Sequence, residues 1–141
     1  MKIASNGPIT VETTVNAPLA KVWQYWTEPR HITQWNQASD DWHTPSAEND
    51  VRVGGKFKST MAARDGSTQF DFEGVYINVK VNERIEYSLA DGRHVSIEFE
   101  SHGPNTKVVE SFDPETVNSP ELQRQGWQAI LNSFRKYTES N

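Results

Sequence analysis

The feature that most constrains this fold is an apolar stripe along residues 119–137. Ser119 is a favoured helix N-cap, and Pro120 suits the first helical turn, where the amide N–H has no partner to lose. Apolar or small residues then recur at the i, i+3, i+4, i+7 spacing of one helical face: Leu122, Gly126, Trp127, Ile130, Leu131, Phe134 and Tyr137. The spacing predicts a long amphipathic helix over 119–139, whose stripe the rest of the chain must cover.

A glycine in the middle of this helix needs a physical reason. Gly126 costs about 1 kcal/mol of helix stability relative to alanine. We expect either that another backbone packs closely against it, or that it leaves a space open beside the helix.

The chain ahead of this helix begins with one strand and two short helices. Residues 1–7 are predicted to be a loose N-terminus, and residues 9–15 alternate as a half-buried strand does. Asn16 is a suitable cap for a first helix, which Pro29 ends or kinks. A second short helix is predicted over roughly 29–36.

Six strands are predicted between the short helices and the long one. Asp65-Gly66 is the strongest hairpin signal of the chain, and further turn residues stand at 54–55, 81–83, 91–92 and 102–105. These turns separate a short strand around 42–47, strands over 56–63 and 68–79, and alternating apolar runs around 85–89, 95–99 and 108–112. Such short connections produce an antiparallel meander.

The strand after the hairpin turn changes the face that it turns inward. Phe70 and Phe72 share one parity. Val75 and Ile77 share the other. We expect a β-bulge at Gly74, because one extra residue reverses the alternation and bends the sheet.

Together these elements predict a single α+β domain over 1–141. Its bent antiparallel sheet of about seven strands wraps on the long C-terminal helix, with two short helices after the first strand. A sheet that grips one helix leaves a space between them, which side chains or a ligand must fill.

Composition narrows the classes of function. The net charge of −5, from 14 basic and 19 acidic residues, argues against nucleic acid and anionic membrane surfaces as partners. The absence of cysteine excludes disulfides, thiol nucleophiles and cysteine-ligated metals. Without a signal-peptide core or an apolar run of about 18 residues, we expect a cytoplasmic protein. No P-loop, dinucleotide fingerprint or G-x-S-x-G motif occurs, and we predict no cofactor.

Several segments together resemble a known family. They are VETTVNAPLAKVWQYW at 11–26, VGGKF at 53–57, FEGVY at 72–76, ERIEY at 83–87, FDPE at 112–115 and GWQAIL at 126–131. Their order is similar to that of the START/SRPBCC superfamily, the helix-grip fold shared with birch-pollen allergen (Bet v-like) relatives and polyketide cyclases. More narrowly, the chain resembles bacterial homologues of the C-terminal domain of the heat-shock-protein-90 ATPase activator. We do not expect the chaperone-binding domain that precedes this one in the eukaryotic activator.

This resemblance implies more than one function, since superfamily members bind ligands, cyclise aromatic precursors or regulate chaperones. The leading hypothesis is non-catalytic binding of a small apolar or aromatic molecule between the sheet and the C-terminal helix. One alternative is a cyclase- or hydrolase-like enzyme with Glu110 or His43 as general acid or base. The other is a module that regulates a chaperone ATPase. The sequence specifies no oligomeric state.

Glu110 is the sharpest candidate for a polar contact in the predicted cavity. It shares a strand face with Val108 and Phe112, and that face is the one expected to meet the helix. The alternative is a reversed strand, with Val109 inside and Glu110 in solvent. If the carboxylate is buried, it must be protonated or find a donor. The candidate donors are Arg64, His43, Gln123 and Tyr87.

A second polar cluster is Asp40-Asp41-Trp42-His43. On an extended segment, Asp41 and His43 can face one side and form the polar end of a pocket or an acid–base pair. The alternative is a turn capped by the aspartates, with Trp42 packed inward. One nearby histidine argues against a metal site, which takes three or four ligands. The remaining histidines are predicted to be ordinary surface residues: His31, His94 and His102.

Aromatic side chains are expected to supply the walls of the cavity, although roughly half of them should be plain core. The predicted ligand-binding residues are Trp35, Trp42, His43, Phe57, Met61, Phe70, Phe72, Tyr87, Phe99, Glu110, Phe112, Trp127, Leu131 and Phe134.

Overall fold

A computed structural model describes residues 7–141 of the chain, so the predicted loose terminus lies outside the described residues except for Gly7. The elements in chain order are β1 (Ile9–Val15), α1 (Leu19–Thr27), α2 (Pro29–Trp35), β2 (Trp42–Asn49), β3 (Lys56–Ala63), β4 (Gln69–Lys80), β5 (Arg84–Leu89), β6 (His94–His102), β7 (Asn105–Phe112) and α3 (Pro120–Ser140).

The strands form one antiparallel sheet in the order β1-β7-β6-β5-β4-β3-β2. Strands β2 to β7 follow one another as a meander, whereas β1 pairs with β7, from Ile9 opposite Phe112 to Val15 opposite Thr106. The helices contribute apolar side chains to the same core as the inner face of the sheet. The predicted α+β helix-grip fold is therefore confirmed, including the two short helices after the first strand. No helix in the range 7–141 is long and apolar enough to cross a bilayer.

Helix α3 begins as its sequence predicts, because the Ser119 hydroxyl oxygen accepts a hydrogen bond from the Leu122 amide at 3.1 Å. Leu131 and Phe134 on its inner face are fully buried. Leu122 does not belong to that face, since 55% of its surface is exposed. The buried face starts instead at Gln123, one residue or about 100° further around the helix.

The β-bulge predicted at Gly74 is wrong. Gly74 pairs regularly with Phe57 on β3 and with Leu89 on β5, and the register shift lies between Tyr76 and Asn78. The glycine has a different reason: a Cβ there would lie 2.6 Å from Cε2 of the Phe57 ring and 2.9 Å from the Ser88 carbonyl oxygen. Gly74 thus makes room for a ring that packs directly on the strand.

Gly126 is not a close-packing position. A Cβ at this point of α3 would meet no atom within 4 Å, so the space beside the helix is open there. Gly126 is not among the residues that line the cavity described below.

One histidine contradicts the surface prediction. His94 and His102 are exposed, but His31 on α2 is buried, with Nδ1 2.8 Å from the Tyr137 hydroxyl and its ring stacked on Tyr25 at 3.8 Å. The packing of α2 on α3 explains this burial, which lowers the pKa of the imidazole.

The start of α1 also differs from the prediction. Pro18 is the N-cap residue and no side chain caps the helix. The backbone N–H of Asn16 instead donates to the Glu139 carboxylate at 2.8 Å, and the Tyr25 hydroxyl donates to the Asn141 carbonyl oxygen at 3.0 Å. These bonds connect the end of α3 to α1 and to the residue ahead of it.

The surroundings of Gly126 and Gly74 predict that substitution by alanine changes the free energy of unfolding in opposite directions. Gly126→Ala should raise the free energy of unfolding by about 0.5–1 kcal/mol, because it removes backbone entropy without a clash. Gly74→Ala should lower it by about 1–3 kcal/mol, because the new methyl group overpacks the Phe57 ring. Urea unfolding of both variants measures the difference. A Gly74→Ala protein as stable as the parent would contradict this account of Gly74, and a destabilised Gly126→Ala protein would contradict the open space at Gly126.

Candidate functional site

A cavity of about 430 Å³ lies between the inner face of the sheet and the three helices. Strands β3, β4 and β5 provide most of its strand-side wall, and Trp127 and Ile130 come from α3. Its complete lining is Trp26, Ile32, Trp35, Asn36, Glu48, Asn49, Phe57, Ser59, Met61, Phe70, Phe72, Tyr76, Ile85, Tyr87, Arg93, Glu110, Glu115, Trp127 and Ile130. The volume falls within the range of about 300–1,000 Å³ that is typical of small-molecule sites.

Glu110 lies on the cavity wall near the middle of β7. Its strand neighbours are Val11 and Ile97, so apolar residues flank it on both sides. The residue is only 6% exposed, and its side chain faces inward, as its parity with Val108 and Phe112 predicted. Burial raises the pKa of the carboxyl group from 4.5 to about 8, because the charged form loses its hydration.

Within the described residues, the carboxyl group of Glu110 has no hydrogen-bond partner. Three of its four predicted donors bond to other groups or lie elsewhere. Arg64 is exposed and donates to the Asp40 carbonyl oxygen at 2.9 Å. The Gln123 amide donates to the carbonyl oxygens of Glu115 and Asn118. His43 is not part of the cavity lining.

Tyr87 on β5 is the predicted donor that shares the cavity with Glu110. It does not donate to the carboxylate, although the two side chains are close enough to influence each other. Burial raises the pKa of the Tyr87 hydroxyl, and a charge on Glu110 raises it further. The carboxyl group is consequently available to a molecule inside the cavity.

Aromatic rings form a connected wall on one side of the cavity. Trp127 stacks in parallel on Phe112, with 3.9 Å between ring centroids and 9° between planes. The other neighbour of Trp127 is Phe72, which meets it edge to face at 6.2 Å. Phe57 continues the wall by packing edge to face on Tyr87 at 4.6 Å. Each ring therefore restricts the orientation of its neighbour, which gives the wall a defined shape.

A polar bridge holds the β2 side of the cavity to α1. Asn49 accepts a hydrogen bond from the Tyr76 hydroxyl on β4 and donates to the Thr27 carbonyl oxygen at 2.7 Å. Burial raises the pKa of Tyr76, so this hydroxyl remains a donor at ordinary pH.

The charged lining residues other than Glu110 already have protein partners. Nε of Arg93 donates to the Asp91 carboxylate at 2.7 Å. The Glu115 carboxylate accepts a hydrogen bond from the backbone N–H of Asn118 at 2.7 Å. Glu48 lies at the rim, where its exposed carboxylate is 3.8 Å from Nζ of Lys58.

The predicted ligand-binding residues fall into two groups. Those in the cavity lining are Trp35, Phe57, Met61, Phe70, Phe72, Tyr87, Glu110 and Trp127. Those outside it are Trp42, His43, Phe99, Phe112, Leu131 and Phe134.

Most of the second group forms a layer behind the lining. Phe112 stands behind Trp127, and Phe134 packs edge to face on Trp26 and Trp35 at 4.9 and 5.0 Å. Trp42 likewise packs edge to face on Phe70 at the rim. Two further members of the group, Phe99 and Leu131, are buried core residues.

The polar cluster around His43 does not reach the cavity. His43 is opposite Ala62 on β3, and directly opposite side chains share a face. That face is the reverse of the one that carries Met61, because neighbours on a strand alternate. Asp41 is exposed. His43 therefore does not serve as a donor to Glu110, and the predicted Asp41–His43 pair does not form the polar end of this cavity. Residues 7–141 contain no cluster of three or more acidic or histidine side chains that could hold a metal ion.

Sequence reasoning missed the rest of the lining. Three of the missed residues carried a usable signal, because Ser59, Tyr76 and Ile85 share the parity of neighbouring lining residues or of the apolar face. The others come from helix faces, loops and the rim: Trp26, Ile32, Asn36, Glu48, Asn49, Arg93, Glu115 and Ile130.

Comparisons with known proteins agree with this architecture. A family model described as "Activator of Hsp90 ATPase homolog 1-like protein" matches residues 16–139. The solution structure of an AHSA1-like protein from Aeromonas hydrophila is 41% identical, with a TM-score of 0.89 over 95% of this chain and 93% of that one. A second solution structure, from Cytophaga hutchinsonii, is 60% identical, with a TM-score of 0.81 over 94% and 92%.

More distant similarity extends to the fold alone. A crystal structure from Nitrosomonas europaea is 18% identical, with a TM-score of 0.82 over 98% of this chain and 97% of that one. Among curated proteins, no significant match is found.

The environment of Glu110 predicts a stability that falls as the pH rises. The folded protein keeps this carboxyl protonated up to a pKa of about 8, whereas the unfolded chain loses the proton near 4.5. The contribution of Glu110 to stability is thus fully present below pH 4.5 and is lost progressively as the pH rises through 8. Each unit of pKa difference corresponds to about 1.4 kcal/mol.

Urea unfolding between pH 4.5 and 9 tests this effect against Glu110→Gln, which cannot ionise. The parent should lose stability relative to this variant by several kcal/mol over the interval, and the exposed control Glu73→Gln should follow the parent. Parallel curves for the parent and Glu110→Gln would contradict a buried, neutral carboxyl group.

Proposed function

Because this chain belongs to the activator of Hsp90 ATPase homolog 1-like family of helix-grip proteins, we propose that it is a binding domain for a small, mostly apolar molecule. The ligand occupies the cavity between the sheet and α3. Its apolar body lies against Trp127, Phe72 and Ile130, and a polar group on it meets Glu110.

The observation that carries this proposal is the buried carboxyl group of Glu110, which has no partner among the described residues, in a cavity whose surface is mostly apolar. A buried polar group without a hydrogen bond costs roughly 1–3 kcal/mol, and a ligand that supplies the bond recovers that cost. An isolated polar group on an apolar wall fixes the orientation of a ligand, while the apolar area provides most of its binding free energy.

The size and the rim of the cavity support the same function. About 430 Å³ accommodates a molecule of two to three fused rings, and the exposed Phe70 and Glu48 mark a rim through which it enters. The aromatic contacts between Trp127, Phe72 and Phe57 hold the wall in position before the ligand arrives. Such preorganisation lowers the entropy cost of binding.

A thermal-shift titration with 2-naphthylmethanol, a neutral probe of suitable size, tests the proposal. Binding to the folded state raises stability by RT ln(1 + [L]/Kd), so the melting temperature should rise with probe concentration. A module that only contacts a chaperone would leave the melting temperature unchanged, which separates ligand binding from chaperone regulation.

Two matched variants locate the binding site. Ser59→Leu adds a side chain at a buried lining position opposite Phe72, so it fills the cavity and should weaken the response at least tenfold. Thr60→Leu adds the same side chain at the next position, where Thr60 bonds to the exposed Asp71, and should respond as the parent does. An unresponsive parent, or a Ser59→Leu protein that still responds fully, would refute binding in this cavity.

A further inference from the structure

The acidic residues of the cavity differ in whether the protein satisfies them. Glu48 turns toward Lys58 at the rim, and Glu115 accepts a hydrogen bond from the Asn118 amide. Glu110 is the deeply buried member of the three and has no such partner among the described residues. Apart from water, a bound molecule is therefore the remaining source of a donor for this carboxyl group.

The positively charged side chain in the described lining already has an ion-pair partner outside the lining. Arg93 is the cationic residue of the described lining, and its Nε lies 2.7 Å from the Asp91 carboxylate. The positive charge of Arg93 opposes the rise in the pKa of the Tyr87 hydroxyl, whereas burial raises the pKa of Glu110. Besides Glu110, which is neutral without a ligand, the lining holds two acidic side chains and one arginine that is already paired. This balance disfavours an anionic ligand, whereas a cation beside Glu110 favours the ionised form of its carboxyl group.

The aromatic wall adds to this preference. Tyr87, Phe72 and Trp127 line the same cavity as Glu110. The faces of aromatic rings attract ammonium groups, and the attraction is stronger where water is excluded. The carboxyl group and the rings together therefore match a ligand that has an apolar body and one positively charged nitrogen.

On the basis of the proposed function, we infer that the ligand is an apolar amine whose ammonium group pairs with Glu110. The ammonium keeps its own proton and donates an N–H to the carboxylate. The proton that Glu110 carries in the ligand-free protein leaves to the solvent. The resulting ion pair is buried, and its charge-assisted hydrogen bond is stronger than the bond a neutral hydroxyl would form.

This exchange has a measurable stoichiometry. Because burial raises the pKa of Glu110 to about 8, the group is mostly protonated at pH 7. Binding of an amine that is already charged should then release about 0.9 proton per ligand. A neutral ligand that accepts a hydrogen bond from the protonated acid releases none.

Three probes with the same naphthalene body distinguish the ligand classes: 2-naphthylmethylamine, 2-naphthylmethanol and 2-naphthoic acid. Titration calorimetry at pH 7 in phosphate and in Tris, which differ in ionisation enthalpy, gives the affinity and the proton release for each probe. The amine should bind about tenfold more tightly than the alcohol and release close to one proton. The acid should bind most weakly of the three.

Substitution of Glu110 provides the matched comparison. In Glu110→Gln, the advantage of the amine over the alcohol and the proton release should both disappear. Glu73→Gln removes the same charge from an exposed position on β4 and should keep the preference for the amine. If Glu110→Gln does not fold, the two-buffer comparison on the parent alone decides the question.

The outcomes separate this inference from the function on which it rests. Alcohol binding as tight as amine binding would overturn the amine assignment and leave the apolar cavity as a binding site. Amine binding without proton release, or amine binding unchanged in Glu110→Gln, would overturn it in the same way. If none of the three probes binds or shifts the melting temperature, the proposed function itself fails.

Discussion

The packing of α3 across the inner side of the sheet is the contact on which the rest of the structure depends. The helix lies closest to β1 and to the two short helices. On that side Leu131 and Phe134 are completely buried. The stack of Trp127 on Phe112 then fixes how the helix is turned. The strands that lie further from the helix, β3 to β5, have no such partner, and the cavity occupies the gap between them and α3. A single helix is narrower than the sheet that grips it, so some internal space follows from the fold itself.

Glu110 shows how a sheet position can hold a group that the protein does not satisfy. It lies on β7, between Val11 of β1 and Ile97 of β6, where the backbone N–H groups are used for pairing between the strands. Neither of these directly opposite residues has a side-chain donor, and the helix above presents Trp127 and Ile130 to the cavity. The carboxyl group therefore destabilises the fold at neutral pH, and uncompensated costs of this kind concentrate at functional sites.

Local patterns predicted the elements and the inward direction of Glu110, because alternation and turn chemistry act over a few residues. Gly74 was misinterpreted, since a bulge and a ring packed on the strand both favour glycine within a strand. His43 was misplaced because the register of β2 shifts between His43 and Ser46, and a shift of one residue reverses the face. Trp26, Asn49 and Arg93 meet in the cavity only through packing between elements far apart in the chain, which no local pattern encodes.

The pairing of β1 with β7 has a consequence for how the chain acquires its fold during synthesis. Thr10 and Ser111 face each other across this pair although 101 positions separate them. Translation proceeds at about 5–20 residues per second, so β1 emerges from the ribosome many seconds before its partner strand exists. Throughout that interval the nascent chain carries Ile9, Val11 and Val15 on an unpaired strand. The most aggregation-exposed stage of this protein is therefore its biosynthesis, and a translational pause ahead of β7 would prolong it.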